Sequence, residues 1–207
     1  MEIVTSNTQD TERKMSHDVS EEELRQAIRT IIRAIGEDPD REGLVETPGR
    51  IMRMYKEIFR GYDEASRPRI TTFRNDAHHE EMVFDSGDYH SMCEHHILPF
   101  FGRYYFAYVP SANGRILGIS KVARAVGYCA ARLQLQERLA REIVEMLTDA
   151  LDNTALGMAI VMRGRHLCKS MRGVKNNGDM CVSYFTGCFK DNAQLRNEFY
   201  QMVQMER

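Results

Sequence analysis

The chain has 207 residues, a length that suits one domain with a substantial core and an appended helical piece better than two domains. Its 28 Lys and Arg stand against 30 Asp and Glu, a formal net charge of -2, so neither nucleic acid nor an acidic membrane is expected as a main partner and any anion site must be local. Five cysteines, an odd number, with no N-terminal signal-peptide core and no window near the roughly 20 apolar residues that span a bilayer, point to a cytoplasmic protein with reduced thiols.

Residues 1–19 are polar, lack a sustained apolar period and carry acidic residues that argue against a transit peptide; they are expected to form a flexible tail. Ser20-Glu21-Glu22-Glu23 has capping-box spacing, and Leu24, Ala27, Ile28, Ile31, Ile32 and Ile35 then recur at helical intervals up to Gly36. Thr47-Pro48 offers a cap and a first-turn proline ahead of Ile51, Met54, Tyr55 and Ile58, which predicts a second helix ending before Gly61. Phe101–Val109 (FGRYYFAYV) reads as a strand, and the Asn-Gly turn signal within Pro110–Gly114 predicts that Arg115–Ile119 returns as its antiparallel partner. Ser120 is placed to cap a helix running to about Leu133. Leu139, Ile143, Met146, Leu147 and Leu151 continue a helical stripe, as one long helix or as two with a bend near Leu133-Gln134-Leu135. Met158–Arg163 and Met180–Phe189 read as strands around an Asn177-Gly178 turn, and Leu195, Phe199 and Val203 mark a closing helix. The class is α+β with an antiparallel sheet.

One stretch is chemically dense. Ser91-Met92-Cys93-Glu94-His95-His96 places a thiol, a carboxylate and two imidazoles immediately before the apolar run Ile97-Leu98-Pro99-Phe100-Phe101. Cys93 and His96, three apart, can bind one metal from a single turn, but a pair of ligands is weak evidence without a third. His166-Leu167-Cys168 follows a predicted strand and is the other close Cys/His pair, able to converge with the first in an antiparallel sheet. Sulfur and nitrogen donors favour zinc over harder cations, and two thiolates with one imidazole would leave a fourth tetrahedral position for water, the arrangement of catalytic zinc. A lone Cys is more often a small buried hydrophobe and a lone His a surface residue, so spacing alone leaves both readings open. Cys129, Cys181 and Cys188 are expected to be packing residues, the last two on opposite faces of one strand. His78-His79 is expected to be solvated in a polar loop, and His90, near the cluster, is a weak candidate for supporting the metal ligands.

Five segments together carry a resemblance. ETPGRIMRMYKEIFRGY (Glu46–Tyr62), SMCEHHILPFFG, ILGISKVAR (Ile116–Arg124), LQLQERL (Leu133–Leu139) and HLCKSMRGV (His166–Val174) are similar, in order and spacing, to the motif set of the GTP cyclohydrolase I family, over a span from about Ser20 to the end. The resemblance implies a tunnelling fold of antiparallel sheet and helices, with residues 20–62 as an N-terminal helical part and 63–207 as the core. It also implies a homodecamer of two pentamers and conversion of GTP and water to 7,8-dihydroneopterin triphosphate and formate, the first step of pterin and folate biosynthesis. Asp179–Tyr184 departs from the family pattern in being poorer in Ser and Thr.

Mapped onto this sequence, the resemblance makes Cys93, His96 and Cys168 the zinc ligands. Bound zinc can lower the pKa of water to about 7, which supplies hydroxide for attack on carbon 8 of a purine, a poor electrophile. His95 would protonate the imidazole ring of guanine, His166 would act as a second acid/base in ring opening and the later sugar rearrangement, and Ser120 would assist that rearrangement. Glu137, with Gln136, resembles the guanine-binding positions, where a carboxylate accepts two hydrogen bonds from N–H groups that adenine lacks. Lys121, Arg124 and Arg172 match triphosphate-binding positions, and Arg50 would add a charge from elsewhere in the assembly; the chain has no G-x-x-x-x-G-K-[ST] loop. On composition alone Glu137 is a solvated helix residue and the cations are plain surface charges. Two other readings compete: a related tunnelling-fold enzyme acting on another pterin or a deazapurine, and a zinc or nucleotide-binding scaffold without turnover.

Overall fold

The computed structural model describes residues 19–206; the expected tail, Val19 apart, lies outside the described residues. Helix α1 (Glu21–Ala34) starts at the capping box, where Ser20 Oγ accepts from the Glu23 N–H at 3.2 Å and the Glu23 carboxylate accepts from the Ser20 N–H at 2.8 Å. Helix α2 (Thr47–Ile58) has Pro48 in its first turn as expected, but Thr47 is already helical and makes no capping bond. The two helices close over their own small core of Ile28, Ile32 and Met52.

A five-stranded sheet forms the centre, in the order β5 (Leu133–Gln134), β2 (Val83–Cys93), β3 (Leu98–Val109), β6 (Gly157–His166), β7 (Met180–Phe185), antiparallel except for the short β2–β5 pairing. Both faces are covered, and the alternation along β3 shows why FGRYYFAYV is almost continuously apolar. Tyr104, Phe106 and Tyr108 enter the larger core, under α3 (Lys121–Ala130) and α4 (Gln136–Ala150). Tyr105, Ala107 and Val109 enter a second core with Phe189, Phe199 and Val203 of α6 (Cys188–Asp191) and α7 (Ala193–Met205). Met158, Ile160 and Met162 of β6 repeat the pattern beside them.

Several expectations are corrected. Arg115–Leu117 (β4) does not return along β3; it pairs with Thr72–Arg74 (β1) in a separate two-stranded sheet, and the antiparallel partners of β3 are β2, across the turn that precedes it, and β6. Strand β2 went unread because Asp85, Gly87 and Asp88, residues poor in strands, interrupt it. Of the two forms expected for the helical stripe after Ser120, the structure has the two helices, α3 and α4, broken at β5, but Ser120 makes no side-chain capping bond at the α3 N-terminus. The strand at Met180 ends at Phe185, so Cys181 and Cys188 do not share an element. Cys129 is buried and Cys188 packs against the second core, but Cys181 is exposed rather than a packing residue.

Candidate metal centre and active site

Strand register assembles the site. Strand β2 ends at Cys93, a turn closed by the Ile97 N–H donating to the Cys93 carbonyl at 2.9 Å carries Glu94, His95 and His96, and β3 begins opposite at Leu98. Two residues along β3, Phe100 stands opposite His166 at the end of β6, and the single helical turn α5 (Leu167–Ser170) then swings Cys168 back toward Cys93. The ligand atoms of Cys93, His96 and Cys168 lie within 4.8 Å of one another, and the two sulfurs are 3.8 Å apart. A tetrahedral site with Zn–S bonds of about 2.3 Å holds its sulfurs about 3.8 Å apart, so the donor set fits such an ion in both chemistry and spacing. Burial, with the Cys93 sulfur next to it, pushes the Cys168 thiol up, the expected behaviour of a thiol whose charge nothing nearby fully compensates. Arg172 Nη1 donates to His96 Nε2 at 2.9 Å; a metal drawing on that nitrogen takes the same lone pair.

The two remaining histidines differ in how they are held. His95 is exposed, its Nδ1 3.9 Å from the Cys93 sulfur and its ring nearly perpendicular to that of His96. His166 is fixed: its ring stacks on Phe100 with centroids 4.5 Å apart and planes 5° off parallel, and its Nε2 lies 2.8 Å from Gln136 Oε1. Gln136, 1 % exposed, donates from its Nε2 to the carbonyls of Met162 at 2.8 Å and Met180 at 3.2 Å. Two carbonyls can only accept, so the amide oxygen must face His166, and the neutral imidazole carries its proton on Nε2 and its free lone pair on Nδ1. The Gln136 side chain, expected among the base-binding residues, is therefore committed inside the protein and sets the orientation and tautomer of His166. Burial draws the His166 imidazole below its ordinary value, with the Glu137 carboxylate opposing and Lys169 reinforcing. Gly164 must stay bare, because a Cβ there would lie 2.2 Å from the Tyr89 hydroxyl, packed behind this arrangement.

The other expected residues lie outside this cluster. Glu137 is exposed on the first turn of α4, near enough to His166 to act on its charge. Ser120 and Arg124, at the start of α3, line a cavity of about 450 Å³ together with Arg60, Ser66 and Tyr128. Lys121 is the first residue of that helix, whose N-terminal dipole favours an anion. Arg50, exposed on α2, makes no side-chain contact with the metal cluster among the described residues. His90 stacks on Phe101 on the exposed sheet surface, away from any such role, and His79 pairs with Glu81 at 2.8 Å.

The sequence profile of GTP cyclohydrolase I matches residues 24–204. The chain belongs to that family. GTP cyclohydrolase 1 of Caldanaerobacter subterraneus subsp. tengcongensis is 45% identical over 190 residues, covering 91% of this chain and 100% of its own. GTP cyclohydrolase 1 of Bacillus subtilis is 41% identical over 190 residues, covering 91% and 98%. A solved structure, the apo form of an archaeosine synthase QueF-Like, aligns with 51% of this chain and 93% of its own at 17% identity, with a TM-score of 0.39, too loose a likeness to bear on the fold.

Within the GTP cyclohydrolase I span, three contributors to the site escaped the sequence reading. Phe100 was read as part of an apolar run, yet it is the platform for His166. Glu94 and Arg138 are joined by a charge-assisted hydrogen bond that ties the turn of Cys93 and His96 to α4. Their presence inside SMCEHH and LQLQERL was the only signal available.

Proposed function

We propose that this chain is a zinc-dependent GTP cyclohydrolase I, converting GTP and water to 7,8-dihydroneopterin triphosphate and formate. The observation that carries the reading is the convergence of Cys93, His96 and Cys168 beside two non-ligand histidines, in a chain of that family. Zinc held by these three side chains would supply water of pKa about 7 for attack on carbon 8 of guanine.

The chain's own residues do the rest. His95, exposed at the edge of the cluster, delivers a proton to the purine imidazole ring as carbon 8 is attacked. His166, whose imidazole burial draws below its ordinary value, offers Nδ1 as the base, since Gln136 holds the proton on Nε2. It takes up a proton as the ring opens and returns it during departure of formate and the later sugar rearrangement, which Ser120 assists. Glu137 accepts the adjacent ring and amino N–H donors of guanine, a pair adenine does not present. Lys121, Arg124 and Arg172 bind the triphosphate, and Arg50 adds a charge from a neighbouring copy. This division supports a pocket completed between subunits of a homodecamer of two pentamers, built on a tunnelling-fold core at residues 63–207 with residues 20–62 as a helical extension. The reaction belongs in the cytoplasm, where thiol ligands stay reduced.

The test is incubation of the purified protein with GTP and, separately, with ATP, following formate and pterin fluorescence. Formate with a fluorescent pterin from GTP alone is expected. Zinc binding with no formate from GTP would favour the scaffold reading, and turnover of a different pterin or a deazapurine would favour the related enzyme.

A further inference from the structure

Cys93 and His96 reach the metal position from a turn that carries its own strain. Ile97, β-branched and half exposed, sits at φ +52, a backbone region such residues rarely adopt, and little packing holds it there. Contacts from outside must over-determine this turn, and they converge on Glu94, the residue after the first ligand. Its N–H donates to the Gln134 carbonyl at 3.2 Å, and its carboxylate accepts from Arg138 Nη2. The same guanidinium donates from Nη2 to the Leu133 carbonyl at 2.9 Å and from Nε to Gln134 Oε1 at 2.9 Å. Gln134, 1 % exposed, is anchored in turn, its Nε2 donating to the Cys129 carbonyl at 3.0 Å and to Glu142 at 2.8 Å. Glu142 also faces Arg132 at 3.5 Å, so the charges behind the turn alternate and balance: Glu94, Arg138, Glu142, Arg132.

We propose that Arg138 is a positioning residue for the metal site, clamping Glu94 to β5 and α4 so that Cys93 and His96 are presented together. Arg138 touches neither ligand; it acts through the turn between them. It also neutralises a carboxylate one residue from a metal-binding thiol, where a free negative charge would disfavour the thiolate and offer a competing oxygen donor. Only a guanidinium can serve three acceptors on two elements in this geometry, since its donors form a fixed planar fork. The inference rests on the metal reading given above.

The experiment measures the zinc dissociation constant of the full chain by competition with a chromophoric chelator. Wild type, Arg138→Met, Arg138→Lys, Glu94→Gln and the Arg138→Met/Glu94→Gln double variant are compared, alongside thermal unfolding of each chelator-treated protein. Outer partners of metal ligands commonly contribute about 10–100-fold in affinity, and a loss of that size is expected in Arg138→Met. Arg138→Lys should recover only part of it, Glu94→Gln should weaken zinc binding by a smaller factor, and the double variant should be no worse than Arg138→Met. Unfolding of the metal-free proteins should change much less than zinc affinity. Zinc affinity within twofold of wild type in both Arg138→Met and Glu94→Gln, or fully additive losses in the double, would overturn the clamp. Should Arg138→Met fail to fold, Glu94→Gln decides alone, because it alters the same contact from an exposed turn. Failure of wild type to bind zinc would instead bring down the metal reading, and the clamp with it.

Discussion

The two halves of the proposed site, one for metal and one for phosphate, are built differently. The metal half is assembled within one chain: strand register and the α5 turn set Cys93, His166 and Cys168 side by side, and Phe100, Gln136 and Arg138 lock them. The phosphate half, as proposed, is a set of scattered cations: Lys121 and Arg124 on α3, Arg50 on α2, and Arg172 just beyond α5. Apart from the hydrogen bond of Arg172 to His96, none of these cations touches the metal cluster among the described residues. Chemistry at a reacting carbon needs atoms placed to fractions of an ångström, which buried sheet and hydrogen-bonded side chains provide. A flexible, highly charged triphosphate tolerates long side chains that gather around it, and so can be met by groups from separate elements or subunits.

If that contrast holds, damage to the two halves should differ in kind as well as size. The largest effect is expected for Cys168→Ala, which removes one of three protein ligands and should lose zinc and formate release together, to background, when metal content and product are measured on the same samples. His95→Ala comes next: zinc content should stay near wild type while formate release falls on the order of 10²–10⁴-fold, the usual range for an acid/base residue. Zinc loss in that variant as complete as in His96→Ala would make His95 a ligand. On the phosphate side, Arg124→Ala should raise KM for GTP about tenfold with kcat little changed. The gap from wild type should narrow as salt rises, because exposed charge pairs are screened beyond about 8 Å at physiological ionic strength. A collapse of kcat instead would move Arg124 into the chemistry.

The smallest effect lies outside both halves. Burial raises the pKa of Asp85 above 3.8, against the hydrogen bond it accepts from the Tyr104 hydroxyl at 3.2 Å. The associated stability is fully present below pH 3.8 and is lost as pH rises through the higher folded value, where the half-buried carboxylate must ionise. Asp85→Asn keeps an acceptor for Tyr104 without the charge, so calorimetry should find its melting temperature raised by roughly one or two degrees at pH 7. The gain should vanish below pH 3.8.

The halves also differed in how far the sequence revealed them. The helices at Glu21, Thr47 and Ala193 were legible because their apolar period agrees with packing, and at Ser20 a capping box marks the start as well. Strand β2 was hidden by Asp85, Gly87 and Asp88, although it ends at Cys93, because its stability comes from neighbours on either side rather than from its own residues. The pairing of β4 with β1 was hidden as well, since a turn signal says that the chain reverses but not which strand receives it. At the site, Cys93 and His96 were visible as a local pair, and the family motif supplied Cys168 across 75 residues, which periodicity could not. The part Gln136 plays behind His166 was hidden because composition does not tell an exposed amide from one spent on two buried carbonyls. Sequence alone assigns no role to Arg138 or to the Glu94 carboxylate for the same reason: what they do depends on where the turn after Cys93 meets α4.

The central claim, that GTP ring opening depends on a metal held by Cys93, His96 and Cys168, is tested most directly by titrating metal back into chelator-stripped protein and recording formate release from GTP at each addition. Activity should be absent from the stripped protein and return in proportion to bound zinc, reaching its maximum at one zinc per chain, while stripped Cys168→Ala stays inactive throughout. Formate release at the wild-type rate from fully stripped protein would contradict the account.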